Sequence, residues 1–511
     1  MEKKATVMKK MILLNLALLA GSASLLGQGV KTAPLPRPAP QFTWNQQSAA
    51  HLMRRAGFSA SPAELDSWVE KGFLASLDEL VRFQEVDDSA MEAGLAARNF
   101  RLSRTNQNGM QIANAQGMNQ WWLYRMMHSR RQLLEKMTLF WHDHFATSVG
   151  EIRFVKSTGQ PLLLVQQDLL RQYAVGNFKE MVHQIARDPA MLIWLDNFIN
   201  FNESPNENWG RELLELFTMG VDQYTQVDIE EAARAFTGWT LNRRSDNFEF
   251  IFVERLHDFG EKTFLGKTGA FDGDDIIDII FEQEVTAQFM ARKLWEFFVY
   301  PDPSDQLVRD LGRVFRDSGY ETSVLMRAIF RHPEFFSTRA YRALMKSPVE
   351  MVVNFMREME LDDPATLPPY LFNMNQLLFF PPDVGGWTSG VGWVNTSTLL
   401  FRYNFFNIKL ACRGAAFCPG AGRDGQPDPV DLAAIIQAFG LQSGDDLTVH
   451  FGDRLLQGDL TPDEEFVLQD YLTRGEGGAV VEFDINNPLT VDEKVRGLIY
   501  LITIMPAYQL N

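Results

Sequence analysis

A shared pattern marks the points where several helices begin in this chain. A hydroxyl residue is followed by proline and, three residues after the hydroxyl, by glutamate, at 61–64, 204–207 and 461–464. The hydroxyl accepts a hydrogen bond from the first helical turn, the glutamate accepts one from the backbone N–H of the hydroxyl residue, and proline suits the first helical position. A weaker start of the same kind begins at Asp228. The chain is therefore expected to be organised by helices.

Apolar residues recur about every 3.6 residues through much of the sequence, as in amphipathic helices. The segments with this spacing are 65–81, 119–145, 161–174, 207–219, 229–239, 276–299, 323–331, 347–358 and 492–505. The one convincing strand signal is NFEFIFVERL at 247–256. The sequence thus predicts a mainly α fold, a large single-domain helical array over 42–511 with a minor β ribbon near 247–266. A parallel α/β sheet is the alternative fold, and a loop break is expected near 412–429.

The amino-terminal segment has the features of a secretion signal. Lysines precede an apolar run, MILLNLALLA at 11–20, and small residues follow it. We predict a signal peptide over 1–29, a Pro-rich linker over 30–41, and export to the periplasm or out of the cell. An uncleaved membrane anchor is the alternative. No later segment is apolar over enough residues to span a bilayer, so no integral membrane domain beyond the signal segment is expected.

Cysteine content and charge bear on the kinds of site that this chain can hold. Cys412 and Cys418 are its two cysteines. In an oxidising compartment such a close pair indicates a local disulfide, because two thiolates alone do not complete a zinc shell. The formal net charge is −17, and no cluster of lysines and arginines stands out along the sequence. A nucleic-acid partner is therefore not expected.

Several longer motifs, in a fixed order, resemble one known family. They are AAHLMRRAGF (49–58), EKMTLFWHDHFATS (135–148), RDPAMLIWLDN (187–197), PNENWGRELLELFTMGVDQYT (205–225), EEAARAFTGW (230–239), HDFGEKTFLG (257–266), KSPVE (346–350), PPDVGGW (381–387) and PAYQLN (506–511). With these motifs the chain resembles the bacterial family known as domain of unknown function 1800, over essentially residues 44–511.

The resemblance implies an exported, largely helical protein without an established activity. Members of this family are often encoded beside proteins of another uncharacterised family, domain of unknown function 1501, which is similar to alkaline phosphatases and sulfatases. A protein of that second family is therefore the partner that the resemblance suggests. The resemblance supplies no mechanism.

The motif that contains His142, Asp143 and His144 is the first candidate for a site. On a regular helix, residues two apart lie about 160° from each other, so the two imidazoles cannot share a metal ion unless the helix breaks near Trp141. His144 falls within an apolar stripe, and His142 points to the opposite side. Two interpretations stay open for His144: a core histidine bonded to a carbonyl or carboxylate, or a metal ligand or general base.

A polar stripe in the segment 206–217 is the second candidate. Asn208, Arg211, Glu212 and Glu215 share one side of the expected helix, and Glu207 is assigned to its cap. One interpretation is an exposed face with ion pairs from Glu207 to Arg211 and on to Glu215. The other has Glu212 and Glu215 facing inward as metal ligands, as carboxylates do in helical metal sites, with Asn208 and Arg211 as binding residues.

Two further motifs offer polar or aromatic groups on loops. His257 and Asp258 follow the expected strand, where they are either catalytic groups or the cap of a turn. Trp387 and Trp393 lie in the Gly-rich stretch 381–393, where they either stack on a sugar ring or plug the core.

These candidates leave two functions of different classes open. The first is a metal-assisted hydrolase, in which His142 or His144 and Glu212 bind a divalent ion while Asp143 or His257 handles the proton. The second is a non-catalytic partner in the cell envelope, which assembles with a phosphatase-like companion or a surface polymer. At the carboxyl end, the apolar residues of 491–511 predict a terminal helix that packs into the core.

Overall fold

A computed structural model describes residues 42–156, 158–242, 247–411, 430, 432–458, 460–475 and 478–511. Helices make up 60% of it, and the strands are few and short, which confirms the mainly α fold. The expected signal peptide (1–29), the whole of the linker (30–41), and the loop with Cys412 and Cys418 lie outside the described residues.

The helices up to residue 235 are α1 (Gln46–Ala56), α2 (Pro62–Lys71), α3 (Phe73–Val81), α4 (Ser89–Arg98), α5 (Ala115–His128), α6 (Gln132–His144), α7 (Leu162–Gln172), α8 (Phe178–Ile185), α9 (Pro189–Trp194), α10 (Asn208–Glu212) and α11 (Gln226–Ala235). A π-helix, Leu213–Thr218, continues directly from α10.

The later helices are α12 (Gly273–Glu282), α13 (Glu284–Phe298), α14 (Asp305–Asp317), α15 (Thr322–Arg331), α16 (Pro348–Glu358), α17 (Pro368–Asn373), α18 (Thr396–Ala411), α19 (Leu432–Phe439), α20 (Gly444–Leu456), α21 (Pro462–Thr473), α22 (Pro488–Ile504) and α23 (Pro506–Gln509). None of the described helices is long and apolar enough to cross a membrane.

The strands form three antiparallel hairpins. They pair β1 (Ser103–Thr105) with β2 (Gln111–Ala113), β3 (Trp239–Leu241) with β4 (Phe250–Phe252), and β5 (Lys262–Phe264) with β6 (Lys267–Gly269). The expected ribbon near 247–266 is therefore two hairpins. Its strand is shorter than 247–256, because the chain turns at Glu254–Leu256.

The helix starts predicted from proline and glutamate are correct in two places and wrong in one. Ser61 and Thr461 form complete capping boxes with the glutamate three residues later. Ser204 caps no helix, because it closes a tight turn, with its N–H donating to the carbonyl of Phe201 at 2.9 Å, and residues 205–207 after it are not helical. Helix α10 starts only at Asn208 and has no side-chain cap.

The weaker start at Asp228 is displaced by three residues. Thr225 is the cap of α11, and the carboxylate of Asp228 accepts a hydrogen bond from the Thr225 backbone N–H at 2.8 Å. A further box, Ser347 with Glu350, starts α16. Its Ser-Pro-x-Glu pattern is the same as at residue 61, so sequence reasoning could have found it.

Buried apolar side chains gather in two clusters, and α6 contributes to both. Leu133, Met137 and Trp141 belong to a cluster with α1–α3 and α8–α15. Leu139 belongs to a second cluster with α5 and α16–α22. Every residue of α6 except Asp143 is buried. A helix that is buried on all sides is a central core element. The apolar stripe expected from the sequence is therefore only one of its buried faces.

The carboxyl end is packed into the second cluster, as predicted. Leu498, Ile502 and Met505 are buried in it, and Tyr508 is fully buried. The Tyr508 hydroxyl donates to Glu358 at 2.6 Å. Helix α23 is thus tied to α16.

Candidate functional site

The end of α6 brings the first candidate motif into the centre of the molecule. The helix stays regular through His144, and the N–H of Phe145 donates to the carbonyl of Trp141 at 2.8 Å. His142 and His144 therefore point to opposite sides, into the second and the first cluster. The structure does not bring the two imidazoles together.

His142 accepts a hydrogen bond from the backbone of a distant segment. Its Nε2 receives the N–H of Phe379 at 3.1 Å, and its ring meets the edge of Trp122, with centroids 5.2 Å apart. Burial lowers the pKa of His142 to about 3. The imidazole is therefore neutral at physiological pH, and the Nε2 lone pair, which a metal ion would need, points at a backbone amide.

His144 bridges the π-helix and α13. Its Nε2 lies 3.1 Å from the carbonyl oxygen of Phe217, and the Lys293 ammonium donates to its Nδ1 at 3.0 Å. Because a carbonyl only accepts, the proton of the neutral ring lies on Nε2. Burial, and then the charge of Lys293, holds the pKa of His144 well below 6.5. This arrangement matches the core interpretation of His144, with a lysine as the second partner.

Asp143 lies between the two histidines and under the 381–387 loop. The N–H of Trp387 donates to its Oδ1 at 2.7 Å. Burial raises the pKa of Asp143 to about 6, although the Trp387 N–H and the charge of Lys293 both oppose this shift. Burial also lowers the pKa of Lys293, and Asp143 opposes that change. Asp143 and Lys293 thus lie close enough for the charge of each to favour the charged form of the other, against the effect of burial.

The 381–387 loop approaches α6 so closely that only glycine fits at one position. Gly386 has φ +86°, and a Cβ there would lie 2.4 Å from Oδ1 and 2.6 Å from the backbone oxygen of Asp143. Trp387 packs on His142 with ring centroids 5.4 Å apart, and both Trp387 and Trp393 are buried. This burial matches the core interpretation of the two indoles.

The polar stripe of the second motif stays at the surface. Asn208 is exposed, and Arg211, Glu212 and Glu215 are half-buried. The ion pair from Arg211 to Glu207 forms at 2.8 Å, so the side chain of Glu207 serves this pair and not the expected cap. Glu215 accepts from the Tyr224 hydroxyl at 2.8 Å in place of Arg211. The π-helix that starts at Leu213 changes the register and turns Glu215 out of line with Arg211.

Carboxylates from two motifs gather beside this stripe. Burial raises the pKa of Glu212, and the nearby charges of Glu215 and Asp383 add to the shift. Among the described residues, however, no group of three or more His, Cys, Asp or Glu side chains is arranged to hold a metal ion. Glu212 and Glu215 lie near each other, but they do not join His142 or His144 in such a group.

His257 and Asp258 hold a turn together. His257 Nδ1 donates to the carbonyl of Thr237 at 2.8 Å, and the Asp258 N–H donates to the Thr237 hydroxyl at 2.8 Å. Arg234 donates to both oxygens of Asp258, with the shorter bond at 2.7 Å, and thereby lowers the pKa of Asp258. This geometry is that of a turn cap, the second of the two roles expected for the pair.

Sequence reasoning missed Lys293 and Asp383. Lys293 follows the buried Met290 by three residues, and a lysine near the apolar face of a helix was a readable sign of a buried partner. Asp383 lies inside the PPDVGGW motif, where it was the only acid.

Comparison with known proteins identifies the family. The family model described as "Protein of unknown function (DUF1800)" matches residues 51–510. Neither the curated proteins nor the solved structures include a significant match to this chain. The match covers nearly the whole sequence. The chain therefore belongs to the DUF1800 family of proteins of unknown function.

Proposed function

We propose that this protein is an exported, non-catalytic binding protein of the cell envelope that acts with a phosphatase- or sulfatase-like companion of the DUF1501 family. The observation that carries the proposal is the use of the polar groups in the family motifs. In the histidine motif, His142, Asp143 and His144 are each hydrogen-bonded to another part of the same chain.

Three contacts illustrate this use. Phe379 donates to His142, Lys293 donates to His144, and the backbone of Trp387 donates to Asp143. A catalytic base must have a free position within hydrogen-bond reach of the substrate. Here the candidate bases join segments that lie far apart in the sequence. Their role in this proposal is to build the scaffold.

The companion protein and the location outside the cytoplasm are both inferred from the sequence. The amino-terminal segment supports export, and the resemblance to families that are encoded side by side supports an exported companion. A protein that supplies no catalytic group of its own would contribute by binding, and it would position or recruit the companion.

Co-purification tests the proposal. The full-length protein with an affinity tag is produced in the same cells as an untagged DUF1501 protein from the same genome, and both carry their own signal segments. We expect the companion to be retained with the tagged protein and to elute with it from a sizing column. An unrelated exported phosphatase is the control. If the companion is retained no better than this control, the proposal is wrong.

A metal-assisted hydrolase is the competing function, and the gathering of Glu212, Glu215 and Asp383 favours it. Metal analysis of the purified protein decides between the two. The binding protein is expected to carry less than about a tenth of an equivalent of metal and to keep its Tm in the presence of a chelator. About one equivalent of metal, lost in Glu212→Gln and retained in the exposed control Glu230→Gln, would establish the hydrolase instead.

A further inference from the structure

An open cleft lies between the β1–β2 hairpin and the segment that follows α6. Its larger lobe has a volume of about 1020 Å³, and a smaller lobe of about 480 Å³ adjoins it. Arg104, Ile112 and Arg153 line both lobes, so the two lobes share one wall. We call the two lobes together the Arg104 cleft. It is larger and more open than the pockets that enclose single small molecules.

The walls of the Arg104 cleft are held in place by backbone hydrogen bonds. The N–H of Ala113 donates to the carbonyl of Arg153 at 3.0 Å and joins the hairpin to the opposite wall. At the hairpin turn, the side chain of Asn106 accepts from the N–H groups of Asn108 and Met110. The cleft is therefore preformed, which lowers the entropic cost of binding.

The cleft is lined by positive charges, whereas the net charge of the whole chain is negative. Arg104, Arg153 and Lys156 line it, and no described lining residue is an aspartate or glutamate. The whole chain has 65 acidic against 48 basic residues. Within the part of the chain that the structure describes, none of these three cations forms an ion pair, although Arg153 Nε donates to the carbonyl of Gly150 at 3.0 Å. This local excess of positive charge fits an anionic ligand.

Aromatic and amide groups lie beside these cations. Phe154 is 42% exposed, and its ring centroid is 5.2 Å from that of Phe248. Phe248 has φ +53°, an unfavourable backbone conformation for a residue with a large side chain, and it places the ring on the cleft. The side chains of Gln107 and Asn108 line the same lobe. Backbone strain that brings an aromatic ring to a cleft is typical of binding sites.

We propose that the Arg104 cleft binds a segment of an acidic glycan, a chain of sugars that carry carboxylate or sulfate groups. Arginines pair with such groups through two parallel hydrogen bonds, the amides suit hydroxyl groups, and Phe rings pack on the apolar faces of sugar rings. Three cations neutralise a few charges only, which fits a short anionic segment better than the dense charge of a nucleic acid. The inference deepens the proposed function, since it takes the protein as a binding protein that meets polymers outside the cytoplasm.

Calorimetric titration of the full-length protein tests the proposal with defined hexamers. The probes are a galacturonic acid hexamer and a sulfated chondroitin hexamer, and maltohexaose is the neutral control. We expect at least one acidic hexamer to bind, with an affinity that falls as salt rises, while maltohexaose binds at least tenfold more weakly. Preference for the carboxylated or the sulfated probe identifies the acidic group. Absence of binding by both acidic probes, or equal binding of maltohexaose, overturns the proposal.

Matched variants locate the binding. Arg104→Gln and Arg153→Gln are each expected to weaken binding by roughly tenfold or more, because each removes a charge-assisted hydrogen bond. Arg309→Gln, at an exposed arginine on α14 without an ion pair in the described residues, is the control and is expected to bind normally. Phe154→Ala is expected to bind roughly fivefold more weakly, and Phe466→Ala, at an exposed ring on α21, is its control. Equal effects of a cleft variant and its control overturn the assignment of the cleft.

Two further outcomes distinguish glycan binding from nucleic-acid binding and from binding of the companion protein. Tighter binding of a single-stranded DNA hexamer than of either acidic glycan overturns the glycan and assigns the cleft to nucleic acid. Retention of the DUF1501 companion is measured on the same variants. Glycan binding without companion retention contradicts the proposed partner alone, and companion retention without glycan binding contradicts this inference alone.

Discussion

The centre at the end of α6 and the Arg104 cleft use charged side chains in opposite ways. At the centre, Asp143 and Lys293 are largely buried, and their charged forms are disfavoured by burial. In the cleft, Arg104 and Arg153 are exposed and form no ion pair with the described part of the chain. In the sequence the histidine motif is a candidate site, but in the structure its side chains form hydrogen bonds to distant segments of the chain.

This difference indicates where binding is expected. Removing one partner of a buried polar pair leaves the other without its hydrogen bond, so changes at the centre should destabilise the fold. Exposed cations without an ion pair contribute little to folding and remain available to a ligand. Changes at the two regions should therefore separate stability from binding.

Gly386→Ala is expected to destabilise the protein by about 3–4 kcal/mol. The new methyl group would collide with the backbone oxygen of Asp143, and alanine also disfavours φ +86°. Gly390→Ala is the matched control: it has φ +55° with open space around the Cβ, so about 1 kcal/mol is expected. Chemical denaturation of both variants measures the difference. Equal losses would mean that the close approach to Asp143 is not a constraint.

Asp143→Asn should change the dependence of stability on pH. The pKa of Asp143 rises from 3.8 to about 6 on folding. The stability that this group contributes is therefore complete below about pH 3.8 and is lost as pH rises through about 6. The asparagine variant lacks this loss. We expect its stability relative to the native protein to increase by roughly 2–3 kcal/mol between pH 4 and 7.5.

Denaturant melts at the two pH values measure this effect. Asp317→Asn, at an exposed position on α14, is the control and should differ from the native protein by the same amount at both pH values. If the stability of Asp143→Asn relative to the native protein does not change with pH, folding does not raise the pKa of Asp143.

His144→Leu is expected to cost about 2 kcal/mol, because Lys293 and the carbonyl of Phe217 lose their partner. In the double variant His144→Leu/Lys293→Met, the unpaired ammonium is absent. A double-mutant cycle by denaturation should therefore give a coupling energy of about 1 kcal/mol. Additive effects would contradict the contact between the two side chains.

Arg104→Gln is expected to change stability by less than about 0.5 kcal/mol, as is usual for surface substitutions without an ion pair. Arg171→Gln is the contrasting variant, since Arg171 donates to the buried Glu135 at 2.6 and 2.7 Å and should cost several times more. Thermal melts compare the two. A large loss in Arg104→Gln would mean that the cleft arginine supports the fold, and the contrast between the regions would then fail.

Sequence patterns predicted where individual helices begin better than they predicted the contacts around those helices. Ser61 and Thr461 cap helices as expected, since a capping box depends on residues only three apart. At Ser204 the same pattern failed because a turn with Phe201 uses the backbone first. The π-helix at Leu213–Thr218 left no sign in the sequence, and it changed the partner of Glu215 from Arg211 to Tyr224.

The sequence by itself determined the mainly α fold and the regular helix that sets His142 and His144 on opposite sides. Both follow from hydrogen bonds and apolar spacing within a few residues. Only the tertiary structure decided which groups meet. Lys293 reaches His144 across 149 positions, and the cleft joins Arg104 to Arg153. Such contacts depend on how whole helices pack against one another, and no local spacing of residues encodes that packing.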